Sequence, residues 1–224
     1  MASFRIRPFR EQDSEAVRAL FARGILEHIP AGFRHVLRSV RARLALLVLF
    51  VGARAGGGSW VLGLGTVGLA VVLLWLLVRS LSVGYVRDAL GTDLCDIPGT
   101  YRAPDGGFWV AEVGGSVVGM VAAVPSRDTP GALELRRMSV SREQRGRGLA
   151  RALCQEVLAF ARARGFGAVV LYTSMVQVAA QRLYEGQGFR RVGTSSPNLL
   201  GTILHFQIFH YRCDLGARDG AKAK

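Results

Sequence analysis

Arg145-Gly146-Arg147-Gly148-Leu149-Ala150 lies between a strand pattern, Leu133 to Val140, and a helix pattern, Leu149 to Arg164. On that helix Leu149, Ala152, Leu153, Val157 and Phe160 share one face, and Gly165 supplies the C-cap. Glycines between a strand and a helix let the backbone approach a ligand closely and leave amides unpaired. The helix behind them adds its positive N-terminal end, and Arg145 and Arg147 add charge, a combination suited to a pyrophosphate. Taken alone, such a turn is equally a tight connection between strand and helix, so the flanking sequence decides its meaning.

Downstream, Ala168 to Thr173 is a continuous apolar strand of the kind covered on both faces. A helix over Met175 to Gln187 aligns Val176, Ala179, Ala180, Leu183 and Tyr184, and Gly188 stops it. Phe189 to Gly193 and Ile203 to Arg212 read as closing strands. Upstream, Phe108 to Val113 and Val117 to Val124 flank Gly114-Gly115-Ser116, a hairpin signal. Ser3 to Phe9 alternates as a strand rather than a leader peptide. Glu11 to Gly24 is an amphipathic helix with Ala16, Leu20 and Phe21 inward, and Tyr85 to Ile97 reads as a second, weaker helix. The order strand, helix, insert, three strands, helix, strand, helix, two strands defines a mixed α/β fold, a central sheet flanked by helices.

The insert is apolar. Leu44 to Ala53 runs ten residues without a charge, Arg54 and a glycine-rich turn follow, and Trp60 to Val78 gives 19 uncharged residues. A bilayer crossing needs about 20. Extended back to Val40, the first run makes a helix of about 20 Å, shorter than a hydrocarbon core of about 30 Å. The segment is therefore a membrane helical hairpin with Arg41 and Arg43 snorkelling, or a re-entrant wedge. Arg34, Arg38, Arg41 and Arg43 precede it and Arg79 and Arg87 follow it, with only Arg54 at the tip, so both flanks should face the cytoplasm. The expected organisation is 1–43 (first strand and helix of the α/β domain), 44–78 (membrane hairpin), 79–215 (α/β domain continued) and 216–224 (basic disordered tail).

Net charge is +13 over 224 residues. That balance suits anionic lipid or a phosphate-rich cofactor; no helix-turn-helix, zinc or RNP signature supports a nucleic-acid partner. Three widely spaced cysteines, Cys95, Cys154 and Cys213, without a CxxC make a disulfide framework unlikely. The four histidines show no metal-ligand spacing, so no metal is expected.

About 30 residues beyond the glycine turn, Ala180-x-x-Leu183-Tyr184-Glu185-x-x-Gly188-Phe189 follows the buried strand. Together the two motifs resemble the GNAT acetyltransferase superfamily, over Phe4 to Leu215 apart from the insert. Thr92-Asp93-Leu94-Cys95-Asp96-Ile97, Phe108-Trp109-Val110-Ala111, Arg137-Met138-Ser139-Val140 and Val178-Ala179-Ala180 look like the vertebrate family of aspartate N-acetyltransferase and cysteine-S-conjugate N-acetyltransferase, enzymes associated with the endoplasmic reticulum membrane.

The resemblance implies acetyl-CoA as acetyl donor and a small amino acid, an amino acid conjugate or a protein lysine as acceptor. The pyrophosphate would lie on Arg145, Gly146, Arg147, Gly148, Leu149 and Ala150, the pantetheine arm on the backbone of Met138 and Val140. Gln177 stands where many relatives have an Asn that binds CoA. Tyr184 is the candidate general acid on sulfur, though an inner-face aromatic is the plainer reading of its pattern. Glu134 is the candidate base, with a surface glutamate and a water chain as alternatives. Asp93 and Asp96 are candidates for the acceptor ammonium or are helix caps; Arg136 and Arg137 would meet an acidic acceptor or a cofactor phosphate, or face solvent. In this superfamily the first strand joins the sheet formed after the insert, so the insert must enter the membrane and return. A non-catalytic CoA-sensing membrane protein is the other class of reading; the intact Arg145, Gly146, Gly148 and Tyr184 argue against it.

Overall fold

In the computed structural model, which describes residues 4–56, 58–101 and 105–216, seven strands form one sheet. They are β1 (Arg5–Pro8), β2 (Gly107–Val113), β3 (Ser116–Pro125), β4 (Ala132–Val140), β5 (Ala168–Ser174), β6 (Arg190–Ser195) and β7 (Ile208–Asp214), in the order β1-β2-β3-β4-β5-β7-β6. Only β4 and β5 pair in parallel, joined by the crossover helix α6 (Leu149–Ala163). The tail expected over Ala217 to Lys224 lies outside the described residues, as does the start of the first strand at Ser3.

The alternation of each strand sorts its residues to two faces. On one, Trp109, Leu133, Leu135, Val169, Leu171, Phe209 and Tyr211 meet Leu149, Leu153, Cys154, Val157 and Ala161 of α6 and Tyr184 of α7 (Val178–Glu185). Cys154 is fully buried among them, where burial pushes its thiol up to about 12 and leaves it unreactive at neutral pH. The other face is covered over β2, β3 and the far end of β4, by α1 (Ser14–Leu26), the end of α4 (Trp60–Gly91) and α5 (Ile97–Tyr101). Where β4 pairs with β5 that face carries just Ala132, Ala168 and Val170 as buried apolar residues, which leaves it open for polar groups.

Several elements differ from the sequence reading. On α1 it is Val17, not Ala16, that is buried with Leu20 and Phe21. The phase 17, 20, 21, 24 is set by Gly24, whose bare α-carbon backs onto the Ser139 hydroxyl of β4 where no side chain would fit. No separate helix spans Tyr85 to Ile97: α4 continues unbroken from Trp60 to Gly91, because no proline stops it and Val86 and Ala89 keep a buried face past Val78. The helix expected over Met175 to Gln187 shortens to Val178–Glu185, since Gln177 Oε1 binds the Ser174 amide at 3.1 Å and holds the preceding residues as a turn. The start expected for the last strand, at Ile203, is instead the end of α8 (Leu199–Ile203), capped by Asn198, whose Oδ1 accepts the Gly201 amide at 2.7 Å.

α2 (Ile29–Arg38) leads into α3 (Val40–Ala55), which packs against α4. Phe50 meets Trp60 at 5.6 Å between ring centroids. At Gly63 a side chain would press on the Phe50 ring at 2.9 Å, so glycine permits this approach. Arg54 at the tip stacks over Trp60 at 4.9 Å. Only 6% of the apolar window of α4 is buried, and Leu44, Leu47, Val48, Val61, Leu64, Leu69, Val72 and Leu73 are exposed. The hairpin stands out from the catalytic domain as an apolar projection.

The start of α1 is fixed by charge. Arg7 Nη1 and Nη2 donate to Asp13 Oδ2 and Oδ1 at 2.6 and 2.9 Å, and both residues are buried. The Arg7 hydrogen bonds hold the Asp13 carboxyl below its ordinary range. A folded-state pKa below the unfolded value gives stability that is present above about pH 4 and is lost as pH falls through the folded pKa. The melting temperature should therefore drop on acidification below about pH 4. Asp13→Asn, which leaves Arg7 buried and half-paired, should cost about 3 kcal/mol at pH 7 and flatten that acid limb; thermal melts across pH 3 to 7, on a scale set by the carboxylate range, check both.

Candidate active site

β4 and β5 pair from Ala132–Ala168 to Leu135–Leu171 and then part, although β4 runs on to Val140 and β5 to Ser174. The cause is a bulge in β4. Met120 faces Ser139 and Ala122 faces Arg136, so two steps along β3 match three along β4. Arg137 sits in the extra position with φ +54. Beyond the bulge β4 stays with β3: the Ser141 amide donates to Val118 O at 2.8 Å. By alternation the backbone groups of Val140 and Met138 face away from β3, into the cleft, where an extended ligand can take the place of a strand.

The glycine loop closes one end of this cleft. Gly146 and Gly148 have φ of +76 and +83, and Gly148 is the N-cap of α6. The Ala152 amide bonds back to Gly148 O at 3.0 Å, so the amides of the preceding turn, including Leu149 and Ala150, are the unpaired donors of a helix start. Arg147 is exposed and makes no hydrogen bond or ion pair among the described residues. Arg145 is held on both sides, donating from Nε to Val140 O at 3.1 Å and from Nη2 to Glu27 Oε1 at 2.5 Å. Glu27, the C-cap of α1, was invisible to sequence reasoning because 118 residues separate the partners.

A side chain at Gly148 would meet nothing within 4 Å. Gly148→Val should thus fold, losing about 1–2 kcal/mol to the left-handed backbone. It should weaken acetyl-CoA binding about tenfold or more by putting a branched side chain where the loop backbone must touch the diphosphate; calorimetric titration beside a thermal melt separates the two effects.

Tyr184 projects from α7 into the helix-covered core, 5% exposed, its ring edge-on to Phe189 at 5.7 Å and tilted against Tyr211 at 6.3 Å. Its hydroxyl has no hydrogen-bond partner among the described residues. Burial, with the neighbouring Cys154 thiol, pushes that hydroxyl above the ordinary phenol range, so it holds its proton at neutral pH. Gln177 sits at the start of α7, its Oε1 within 3.1 Å of Thr173 Oγ1, Ser174 N and Ser174 Oγ; its amide nitrogen has no partner among the described residues.

Glu134 stands on the open face of β4, 8% exposed, accepting from Arg136 Nε at 2.7 Å. Asp96 Oδ1 accepts the Gly99 amide at 2.9 Å and so caps α5. Asp93 and Arg137 meet each other: Nη2–Oδ1 is 2.6 Å and Nε–Oδ2 is 2.8 Å. The structure also assembles residues that sequence reasoning passed over. Tyr172 of β5 faces His210 of β7 in register, with centroids 4.8 Å apart. Ser195 Oγ lies 2.7 Å from His210 Nε2, and Tyr172 donates to Asp128 Oδ2 at 3.2 Å. The signal was present in Phe209-His210-Tyr211: with both aromatics in the core, His210 must face the open side. Among the described residues no three His, Cys, Asp or Glu side chains cluster to hold a metal.

A sheet parted between two parallel strands, with a glycine loop and helix start at one end, is the frame of an acetyl-CoA-dependent acyltransferase, and residues 73–189 match the Acetyltransferase (GNAT) family. The chain belongs to the GNAT family and, within it, to the N-acetyltransferase 8 group. It is 42% identical to N-acetyltransferase 8 of Mus musculus over 94% of this chain and 95% of that one. Identity to N-acetyltransferase family 8 member 2 of Rattus norvegicus is 39%, over 96% of each. The fold is shared with a GNAT-family acetyltransferase of Staphylococcus aureus Mu50 at a TM-score of 0.57 and 15% identity, covering 96% of this chain and all of that one.

Proposed function

We propose that the protein is a membrane-anchored N-acetyltransferase that moves acetyl from acetyl-CoA to the primary amine of a small amino acid or amino acid conjugate. The observation that carries the transfer chemistry is the unpaired Tyr184 hydroxyl, which burial keeps protonated and which we assign to the β4–β5 cleft. The amine approaches from the open face. Glu134 takes a proton from the attacking nitrogen as the N–C bond forms; Tyr184 gives one to sulfur as the C–S bond breaks. The loop Arg145–Ala150 holds the diphosphate, with Arg147 as its uncommitted cation. Met138 and Val140 hold the pantetheine amides, and the Gln177 amide nitrogen donates to the same arm. Arg136, half-exposed on the open face, suits an acceptor that carries a carboxylate.

The exposed apolar surface of α3 and α4 supports the bilayer as partner. β1 precedes the hairpin and its neighbour β2 follows it, so both ends of the insert lie on one side. The arginines around the hairpin root favour the cytoplasmic side, and the endoplasmic reticulum is proposed from the family resemblance. The test is a panel of free amino acids, S-benzylcysteine-type conjugates, polyamines and a lysine peptide, offered with labelled acetyl-CoA to detergent-purified protein. Product on an amino acid or conjugate is expected. Product on the lysine peptide alone would make the protein a lysine acetyltransferase, and no product on any amine would remove the reading.

A further inference from the structure

Arg137 combines two properties that are seldom found together. Its backbone adopts a left-handed conformation that is uncommon for a residue with a side chain. Its side chain is tied to three other parts of the chain. The guanidinium makes the two-pronged pair with Asp93, donates from Nη1 to the Tyr85 hydroxyl at 3.0 Å, and stacks over the Phe21 ring at 4.9 Å. Asp93 in turn accepts from the Tyr101 hydroxyl of α5. The Arg137 and Asp93 side chains are only 13% and 11% exposed. Burial alone would raise the Asp93 carboxyl, yet the hydrogen bonds from Arg137 and Tyr101 hold it below its ordinary range. Each charge is thus satisfied by the other, in a geometry that leaves little for a ligand to take.

The position matters more than the strength. Arg137 is the inserted residue of the bulge, and the bulge begins after Arg136, one residue beyond Leu135, the last β4 residue to pair with β5. A β4 without the bulge would keep β3's register and could continue alongside β5, closing the cleft. A left-handed residue persists where its surroundings over-determine it, and here the side-chain contacts supply that. The hydrogen-bonding partners of Arg137 lie on or just beyond α4: Tyr85 is within the helix and Asp93 follows its last residue by two. The same helix carries the exposed apolar stretch from Trp60 to Val78.

We propose that the Asp93–Arg137 pair is a positioning clamp that holds the β4 bulge, and with it the width of the acetyl-CoA cleft, against the end of the membrane helix α4. The proposal rests on the reading of the β4–β5 cleft as the donor site. It assigns these two residues to donor binding through the backbone, not to contact with the acceptor.

The experiment titrates acetyl-CoA calorimetrically, without acceptor, into the detergent-purified full chain and three variants: Asp93→Asn, Arg137→Lys and Tyr85→Phe. Acceptor KM is then measured for each at saturating acetyl-CoA. Loss of the pair should weaken acetyl-CoA about tenfold or more while acceptor KM stays within about threefold. Tyr85 is half-exposed, so Tyr85→Phe folds whatever the other variants do; loss of its one hydrogen bond should weaken acetyl-CoA by about threefold to tenfold. Acetyl-CoA affinity within twofold of the parent protein in Tyr85→Phe and in whichever pair variants fold overturns the clamp, most sharply if acceptor KM rises instead. A parent protein that binds no acetyl-CoA would overturn the donor cleft itself, a separate result.

Discussion

Tyr184→Phe is expected to lower kcat by about 100-fold and to leave the KM for acetyl-CoA within about threefold. The substitution removes one oxygen and keeps the ring, so the contacts with Phe189 and Tyr211 persist. Among the described residues no group loses a hydrogen-bond partner, and the melting temperature should be unchanged or slightly raised. A fall in kcat with intact stability and donor affinity is what loss of a proton donor to the leaving sulfur produces; a structural role for the aromatic alone predicts no change. Because burial holds the hydroxyl above the ordinary phenol range, the parent enzyme should show no alkaline loss of kcat from this group below about pH 10. A steady-state pH profile of both proteins reads all of this.

The second large effect concerns α4. Leu69, Leu73 and Leu76 recur at helical spacing and are 61, 56 and 48% exposed. Replacing all three by Glu removes no core contact, so the soluble part of the fold should survive. In a bilayer each charge near the helix centre costs about 2.5–3.5 kcal/mol, so the three together cost about 8 kcal/mol or more. The parent protein should stay with membranes through alkaline carbonate extraction, and the triple variant should appear in the supernatant. Equal fractionation of the two would mean that something other than lipid covers this surface.

The elements on which the proposed donor site rests were legible because local chemistry writes them: glycines between strand and helix, a continuous apolar strand, a tyrosine on the inner face of the next helix. What escaped was long-range. Nothing near Arg145 announces Glu27, and nothing near Arg137 announces Asp93, 44 residues away. Both pairs tie residues read from the sequence as candidate ligand contacts to distant parts of the chain. The phase of α1 was misjudged because Ala16 and Val17 are both apolar; the close approach of Gly24 to Ser139, a tertiary fact, chooses between them. The run-on of α4 past Val78 escaped because the apolar count ends there while the helix does not. A buried face at Val86 and Ala89, which tertiary packing with α1 and the core around it supplies, carries it on.

The claim on which the rest depends is that acetyl-CoA lies in the β4–β5 cleft with its sulfur at Tyr184. An experimental structure of the acetyl-CoA complex tests it most directly. The account predicts the diphosphate on the amides from Gly146 to Ala150, the pantetheine arm along Met138 to Val140, and the thioester sulfur within about 3.5 Å of Tyr184 Oη. A donor bound elsewhere, or a sulfur that the Tyr184 hydroxyl does not reach, would contradict it.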